Sequence, residues 1–288
     1  MDNIKGILLM VAAMATFTLA DLCIKRVGQD LPTGEILFIM GLGGALVFGI
    51  WLLKSGQALF AADFLSPVIL LRNLGEIVGT FGIMTAVILI PISSVSAIMQ
   101  AAPLMVTMGA ALFLGATVGW RRWSAIAVGF LGVLIIIRPG MAGFQPESLF
   151  AVLGVVGQAA RDLSTRAAPK SVSSLRIGFY GVVSLMILGA VLMLVSTPPV
   201  MPERSILPLL ILMTGLGTFG YHMLNLSMRL GDVAVVVPFR YSRILFGIIG
   251  GMLVFAERPD FWIYFGASII ILTGLYSFMR ERKRRSAA

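Results

Sequence analysis

Arg240 and Arg243 stand three residues apart in the run from Val233 to Ala256, which holds no other charge. Spacing of three puts both guanidiniums on one helix face. A cation facing lipid near the bilayer centre costs roughly 2.5–3.5 kcal/mol on insertion scales. The pair is therefore expected to face a water-filled cavity or a partner inside a bundle. Arginine presents its donors in a fixed fork that suits a carboxylate or phosphate. Tyr241 lies between the two, and Pro238 just before them frees a backbone carbonyl. The alternative reading is a set of internal ion pairs that lock helices together.

Arg72 and Glu76 are four apart, hence stacked on one face. They either neutralise each other, or Glu76 loads and releases a proton, because a buried carboxylate without a partner protonates readily. Arg161 precedes Asp162 and follows Gln158; a turn of about 100° separates neighbours on a helix, so one of Arg161 and Asp162 faces inward. Asp21–Lys25 and Asp162–Arg166 read as i,i+4 pairs at helix mouths. His222 and Asn225 are three apart; His222 is the only histidine, which excludes a multi-histidine metal site and leaves a proton carrier or a hydrogen bond to a neighbour. Gln100, Ser94 and Ser96 are uncharged candidates for substrate hydrogen bonds. The Met and Phe residues read mainly as packing, with some aromatic wall expected in any small-molecule cavity. Deep positives (Arg72, Arg161, Arg240, Arg243) outnumber the clear deep negative, Glu76, which favours an anionic or zwitterionic ligand unless Asp21 or Asp162 reaches inward.

These residues need a membrane-spanning scaffold. Apolar residues make up 58% of the chain and charged residues 12%, against about 25% charged in a soluble domain; the mean hydropathy is +0.99. Ten segments are long and apolar enough to cross a bilayer, at about 4–25, 33–53, 66–90, 92–116, 121–138, 148–168, 172–195, 206–228, 232–256 and 260–280, with only Pro91 between the third and fourth. The expected fold is an all-α integral membrane protein of ten transmembrane helices. No soluble domain fits between the spans, and no nucleotide-binding P-loop occurs, so movement of a solute would run on gradients. The first apolar run is too long for a signal peptide, and the single cysteine, Cys23, reads as a packing residue.

The formal charge of +9 does not read as nucleic-acid binding, because the cations sit in the connections and the tail. With the N-terminus inside, thirteen lysines and arginines fall on the inner side and five on the outer. Both termini are then cytoplasmic, with the basic tail on anionic headgroups; the expected location is a bacterial inner membrane.

The chain also resembles itself. Asp21-Leu22-Cys23-Ile24-Lys25 is echoed by Asp162-Leu163-Ser164-Thr165-Arg166, and the glycine-rich stretch from Gly109 to Ala116 by that from Gly250 to Glu257. Five spans per copy is an odd number, so the second copy enters from the opposite side: two inverted five-helix repeats, 1–143 and 144–288, with a site near the midplane between them.

These features together resemble the EamA-type family of the drug/metabolite transporter superfamily. The resemblance rests on Leu71-Arg72-Asn73-Leu74-Gly75-Glu76, Pro103, Leu112-Phe113-Leu114-Gly115, Trp120-Arg121-Arg122-Trp123 and Ile137-Arg138-Pro139-Gly140 in the first half. In the second it rests on Val237-Pro238-Phe239-Arg240-Tyr241 and on Val254 to Asp260. The family commonly carries a glutamate after Leu-Gly in each half; here the second half has Glu257 and the first has Ala116. The resemblance implies a ten-helix bundle working by alternating access on amino acids, S-adenosylmethionine, riboflavin, purines or other small metabolites. The leading expectation is a proton-coupled or exchange carrier for a small metabolite bearing a carboxylate or phosphate. The alternatives are an exporter of amino acids or toxic metabolites, and uptake of a larger metabolite such as S-adenosylmethionine or riboflavin. An enzyme would need a nucleophile–base or metal cluster that the sequence lacks. No cofactor or nucleic acid is expected; the expected partners are the metabolite, membrane lipid and, as an option, a second copy in a homodimer.

Overall fold

The computed structural model describes residues 2–141, 143–169, 171–196, 198–230 and 233–285, without the side chains of 225, 228, 229, 233, 234 and 281–285. No strand occurs among them, as lipid requires when only helices or closed barrels can satisfy their own backbone.

Ten spans are formed, and their bounds follow the apolar windows within a few residues, except where the last helix runs on into the basic tail. The first three are α1 (Asn3–Val27), α2 (Thr33–Lys54) and α3 (Pro67–Leu89). The fourth is broken into α4 (Ile92–Met99) and α5 (Ala102–Phe113), and the fifth is α6 (Trp120–Ile137). The second set comprises α7 (Ser148–Ala167), α8 (Ser174–Val195) and α9 (Leu207–Leu230). Then comes a second broken span, α10 (Val233–Val236), a 3₁₀ turn (Val237–Tyr241) and α11 (Ser242–Phe255), before α12 (Phe261–Arg285). Among the described residues nine spans are long and apolar enough to cross a membrane by length and composition. The tenth, α7, carries Gln158, Arg161 and Asp162 and buries its polar side against α3. Exposed Leu46, Ile211, Leu245 and Leu253 give the bundle an apolar outer surface suited to lipid.

Local chemistry sets the ends. The Asp2 carboxylate accepts from the amide of Lys5 at 3.2 Å and caps α1. Pro67 occupies the first turn of α3, where a missing N–H costs nothing. In the fourth span Pro103 cannot donate to the carbonyl of Met99, and the amides of Gln100 and Ala101 bond back three residues instead, to Ala97 and Ile98. Pro238 does the same in the ninth span. The two copies are thus interrupted at equivalent depth.

The most extensive helix pairs all join the first five spans to the last five: α3 with α7, α2 with α8, α1 with α9, and α6 with α12. Exchanging the copies turns α3–α7 into α1–α9 and maps α2–α8 and α6–α12 onto themselves. That is the pattern of a pseudo-twofold axis through interleaved inverted repeats. Along α3–α7 the backbones touch: a methyl on Gly82 would lie 2.6 Å from the amide of Gly154, and one on Gly75 2.6 Å from that of Arg161. Small residues let membrane helices approach this closely.

Candidate functional site

A cavity of about 300 Å³ lies at mid-depth between the copies, at the small end of ligand pockets. Both broken spans reach its wall, the first through Gln100 and Pro103, the second through Arg240 and Arg243. The breaks are tied together, because the Gln100 side-chain amide donates to the carbonyl of Arg240 at 3.4 Å. Arg72 and Glu76 from α3, Arg161 from α7 and Asp21 from α1 complete its charged lining.

The charges are organised into two networks. Glu76 Oε2 holds Arg72 at 2.5 Å and Glu76 Oε1 holds Arg161 at 3.2 Å, so one carboxylate bridges the α3–α7 seam. Arg161 also grips Asp162 at 2.9 Å, and Thr80 donates to Glu76 at 3.3 Å. On the other side Arg243 donates to Asp21 Oδ2 at 2.6 Å, with its guanidinium 5.4 Å from the centre of the Phe17 ring. Arg240 differs: among the described residues it is the one cavity-lining cation with no carboxylate within ion-pair distance.

Several sequence expectations need correction. Asp21 does not pair with Lys25; it turns inward to Arg243, and Lys25 pairs with Glu257 at 3.6 Å. Asp162 pairs with the adjacent Arg161, leaving Arg166 exposed. An i,i+4 rule weighs only one helix, whereas inside a bundle the partner on the next helix competes. Both aspartates therefore join the charged interior, and the surplus of four arginines over Glu76, Asp21 and Asp162 falls to one. Tyr241 is not on the cavity wall; its hydroxyl lies against Gly274 of α12, because the 3₁₀ turn sends it to the opposite side from Arg240. His222 is exposed on the outer surface, its ring 5.4 Å from Trp51, and does not line the cavity. The side chain of Asn225 lies outside the described residues. Ser96 packs against Gly247 and is buried.

An aromatic wall was expected, but the sequence did not identify the residues of the apolar lining. Met14, Met40, Met84, Met99, Phe17 and Phe48 face the cavity, with Tyr221, Thr214 and Gln158 as polar additions. Flexible thioethers adapt to ligands of varied shape. Nothing in their spacing separated them from packing residues. Among the described residues no group of His, Cys, Asp and Glu is arranged to hold a metal.

The comparisons agree with this architecture. An S-adenosylmethionine uptake transporter of Rickettsia prowazekii (strain Madrid E) is 26% identical over 99% of this chain and 96% of its own length. A riboflavin transporter of Rhizobium johnstonii is 29% identical over 68% of this chain and 64% of its length. The pseudopaline exporter CntI of Pseudomonas aeruginosa is 26% identical over 94% of this chain and 95% of its length. A solved crystal structure superposes with a TM-score of 0.61 at 16% identity, covering 98% of this chain and 99% of that one, which supports the fold. The EamA-like transporter family matches twice in tandem, over residues 4–138 and 145–279. The tandem family match and the transporter relatives make this membrane bundle a transporter and not an enzyme, and the chain belongs to the EamA-like family of the drug/metabolite transporter superfamily.

Proposed function

We propose that this chain is a secondary carrier for a small organic metabolite, anionic or zwitterionic, whose carboxylate or phosphate is held by Arg240. The observation that carries the reading is the pairing pattern: every other cavity-lining arginine has a carboxylate partner, and Arg240 has none among the described residues. Arg240 is half-buried with no carboxylate among the described residues within ion-pair distance, and withdrawing a cation from water without a close partner is costly, so a substrate anion stabilises the loaded state more than the empty one. The carrier alternates access by rearranging the two five-span copies, with their boundary near Gly143, and runs on exchange or a proton gradient. In the proton-coupled form, substrate competes for Arg72 and Arg161 and frees Glu76 to take up a proton. The protein sits in a bacterial inner membrane with both termini cytoplasmic.

A second reading, uptake of a larger metabolite such as S-adenosylmethionine, is favoured by the end-to-end match to the Rickettsia uptake transporters. Such a substrate also carries a carboxylate for Arg240. The match to the pseudopaline exporter keeps the outward direction as an alternative.

Counterflow in proteoliposomes, with a mixed metabolite pool read by mass spectrometry, tests the proposal. Wild type should import an anion or zwitterion. Arg240→Gln should raise the half-saturating concentration roughly 10- to 100-fold, the loss of one charge-assisted hydrogen bond or two. Uptake of neutral compounds alone, unchanged in Arg240→Gln, would remove the anion site. Glu76→Gln should keep exchange and lose accumulation driven by a pH gradient; unchanged accumulation would take Glu76 out of the coupling.

A further inference from the structure

Outside the cavity, a second set of charged groups holds the elbow between α3 and α4. Glu257, in the connection before α12, accepts from the amide of Ile92 at 2.7 Å, the amide of Ser93 at 3.2 Å and the Ser93 hydroxyl at 2.9 Å. It thereby satisfies the orphan donors that open α4. Lys25, at the end of α1, donates to the carbonyls of Ile90 at 2.5 Å and Val87 at 3.3 Å, the orphan acceptors that close α3. The two side chains meet each other at 3.6 Å and are nearly buried, at 12% and 8% exposure. A carboxylate of the second copy and an ammonium of the first thus clasp one bend of the first copy.

The clasp lies beyond the cavity lining on α1 and α3, one residue after Ile24 and three after Met84. The lining stops at Ile24, Met84 and Leu185 on this side. Around the clasp the packing is aliphatic and fully buried: Val27, Val87, Ile90, Ile92 and Val95. The backbone that aims Glu257 is unusual. Ala256 adopts the left-handed conformation at φ 51° and ψ 31°, and the amide of Glu257 closes on the carbonyl of Gly251 at 3.0 Å. Strain of this kind persists only where the surroundings hold it in place. The first copy has the same closure, with Gly115 at φ 66° and the amide of Ala116 on the carbonyl of Ala110 at 3.0 Å. There the side chain is a methyl, which accepts nothing. Among the described residues the clasp is therefore seen at one end.

We propose that Lys25 and Glu257 are positioning residues that latch this end of the carrier shut, and that transport requires the latch to open and re-form in each cycle. They act through the α3–α4 elbow and not by touching substrate. On the topology expected from the lysine and arginine count, this is the external end. The inference rests on alternating access and is independent of which substrate Arg240 holds.

Cys23, the single cysteine, is buried in α1 two residues before Lys25 and serves as a native reporter. In proteoliposomes, a membrane-impermeant maleimide should label wild type slowly. Glu257→Gln and Lys25→Met should label roughly tenfold faster or more, from the Glu257 side only, with Cys23→Ser as the blank. The same variants should lose counterflow velocity while keeping the wild-type half-saturating concentration, a split that general misfolding would not give. Wild-type labelling and kinetics in both folded variants would overturn the latch. If either is not recovered folded, Glu257→Asp decides: its carboxylate falls short of the α4 amides, and retained wild-type protection there would equally refute the proposal. Because labelling needs no substrate, a failed anion site and a failed latch are read separately.

Discussion

The seams α3–α7 and α1–α9 are equivalent under exchange of the two copies, yet they are built differently. Along α3–α7 glycines face glycines and backbone meets backbone, and Glu76 ties Arg72 to Arg161 across the join. Along α1–α9 a side chain intervenes: a methyl on Gly220 would meet the Phe17 ring at 3.1 Å, while Gly215 has open space beside it. Phe17 and Thr218 of this looser seam line the cavity, next to the Arg243–Asp21 pair. The two copies share one family fold, yet their equivalent seams pack differently. The tight seam carries the Glu76 network, and the loose seam borders the cavity beside the broken helix that bears Arg240.

Five substitutions test that contrast, and detergent-solubilised protein melted under tryptophan fluorescence reads them all. Glu76→Ala should be the most damaging, because it leaves two guanidiniums without their shared partner, at a cost of about 3–5 kcal/mol. Gly157→Ala should follow, at about 1–3 kcal/mol, since its methyl would overlap the backbone of Gly79 and force the helices apart. The turns before Ala116 and Glu257 offer a matched pair with opposite signs. Gly115→Ala should lose, and Ala256→Gly gain, up to about 1 kcal/mol, the left-handed penalty less the entropy of glycine. Gly220→Ala should change stability by less than about 0.5 kcal/mol, because a ring edge can shift and helix propensity improves. Equal costs for Gly157→Ala and Gly220→Ala would erase the distinction between the seams.

The spans were legible because crossing hydrocarbon demands about twenty apolar residues, a signal that dominates its window. The breaks were legible only as Pro103 and Pro238; that both would open onto one cavity depends on packing between copies. Arg240, Arg243, Arg72, Arg161, Glu76 and Gln100 stood out because polar groups are expensive at that depth, and the structure brings all six to one cavity. Partner choice was not legible. Asp21 and Arg243 are 222 residues apart, and no local rule ranks that contact above Lys25. Tyr241 and His222 were misplaced because adjacency in sequence does not fix direction once a 3₁₀ turn intervenes or a helix turns that face outward. The role of Glu257 as a helix cap was hidden, since its target amides belong to the other copy.

The interleaving of the copies has a consequence for biogenesis. As the chain is synthesised, α1, α2 and α3 reach the membrane before α9, α8 and α7, the helices that cover their widest faces. Until then Arg72 has only its own-helix neighbours Asn73 and Glu76, and Asp21 waits for an arginine made 222 residues later. The first five spans alone would be a half-finished assembly with polar groups facing lipid. A truncated first copy should be a substrate for membrane quality control, and co-expression with the separate second copy should rescue it.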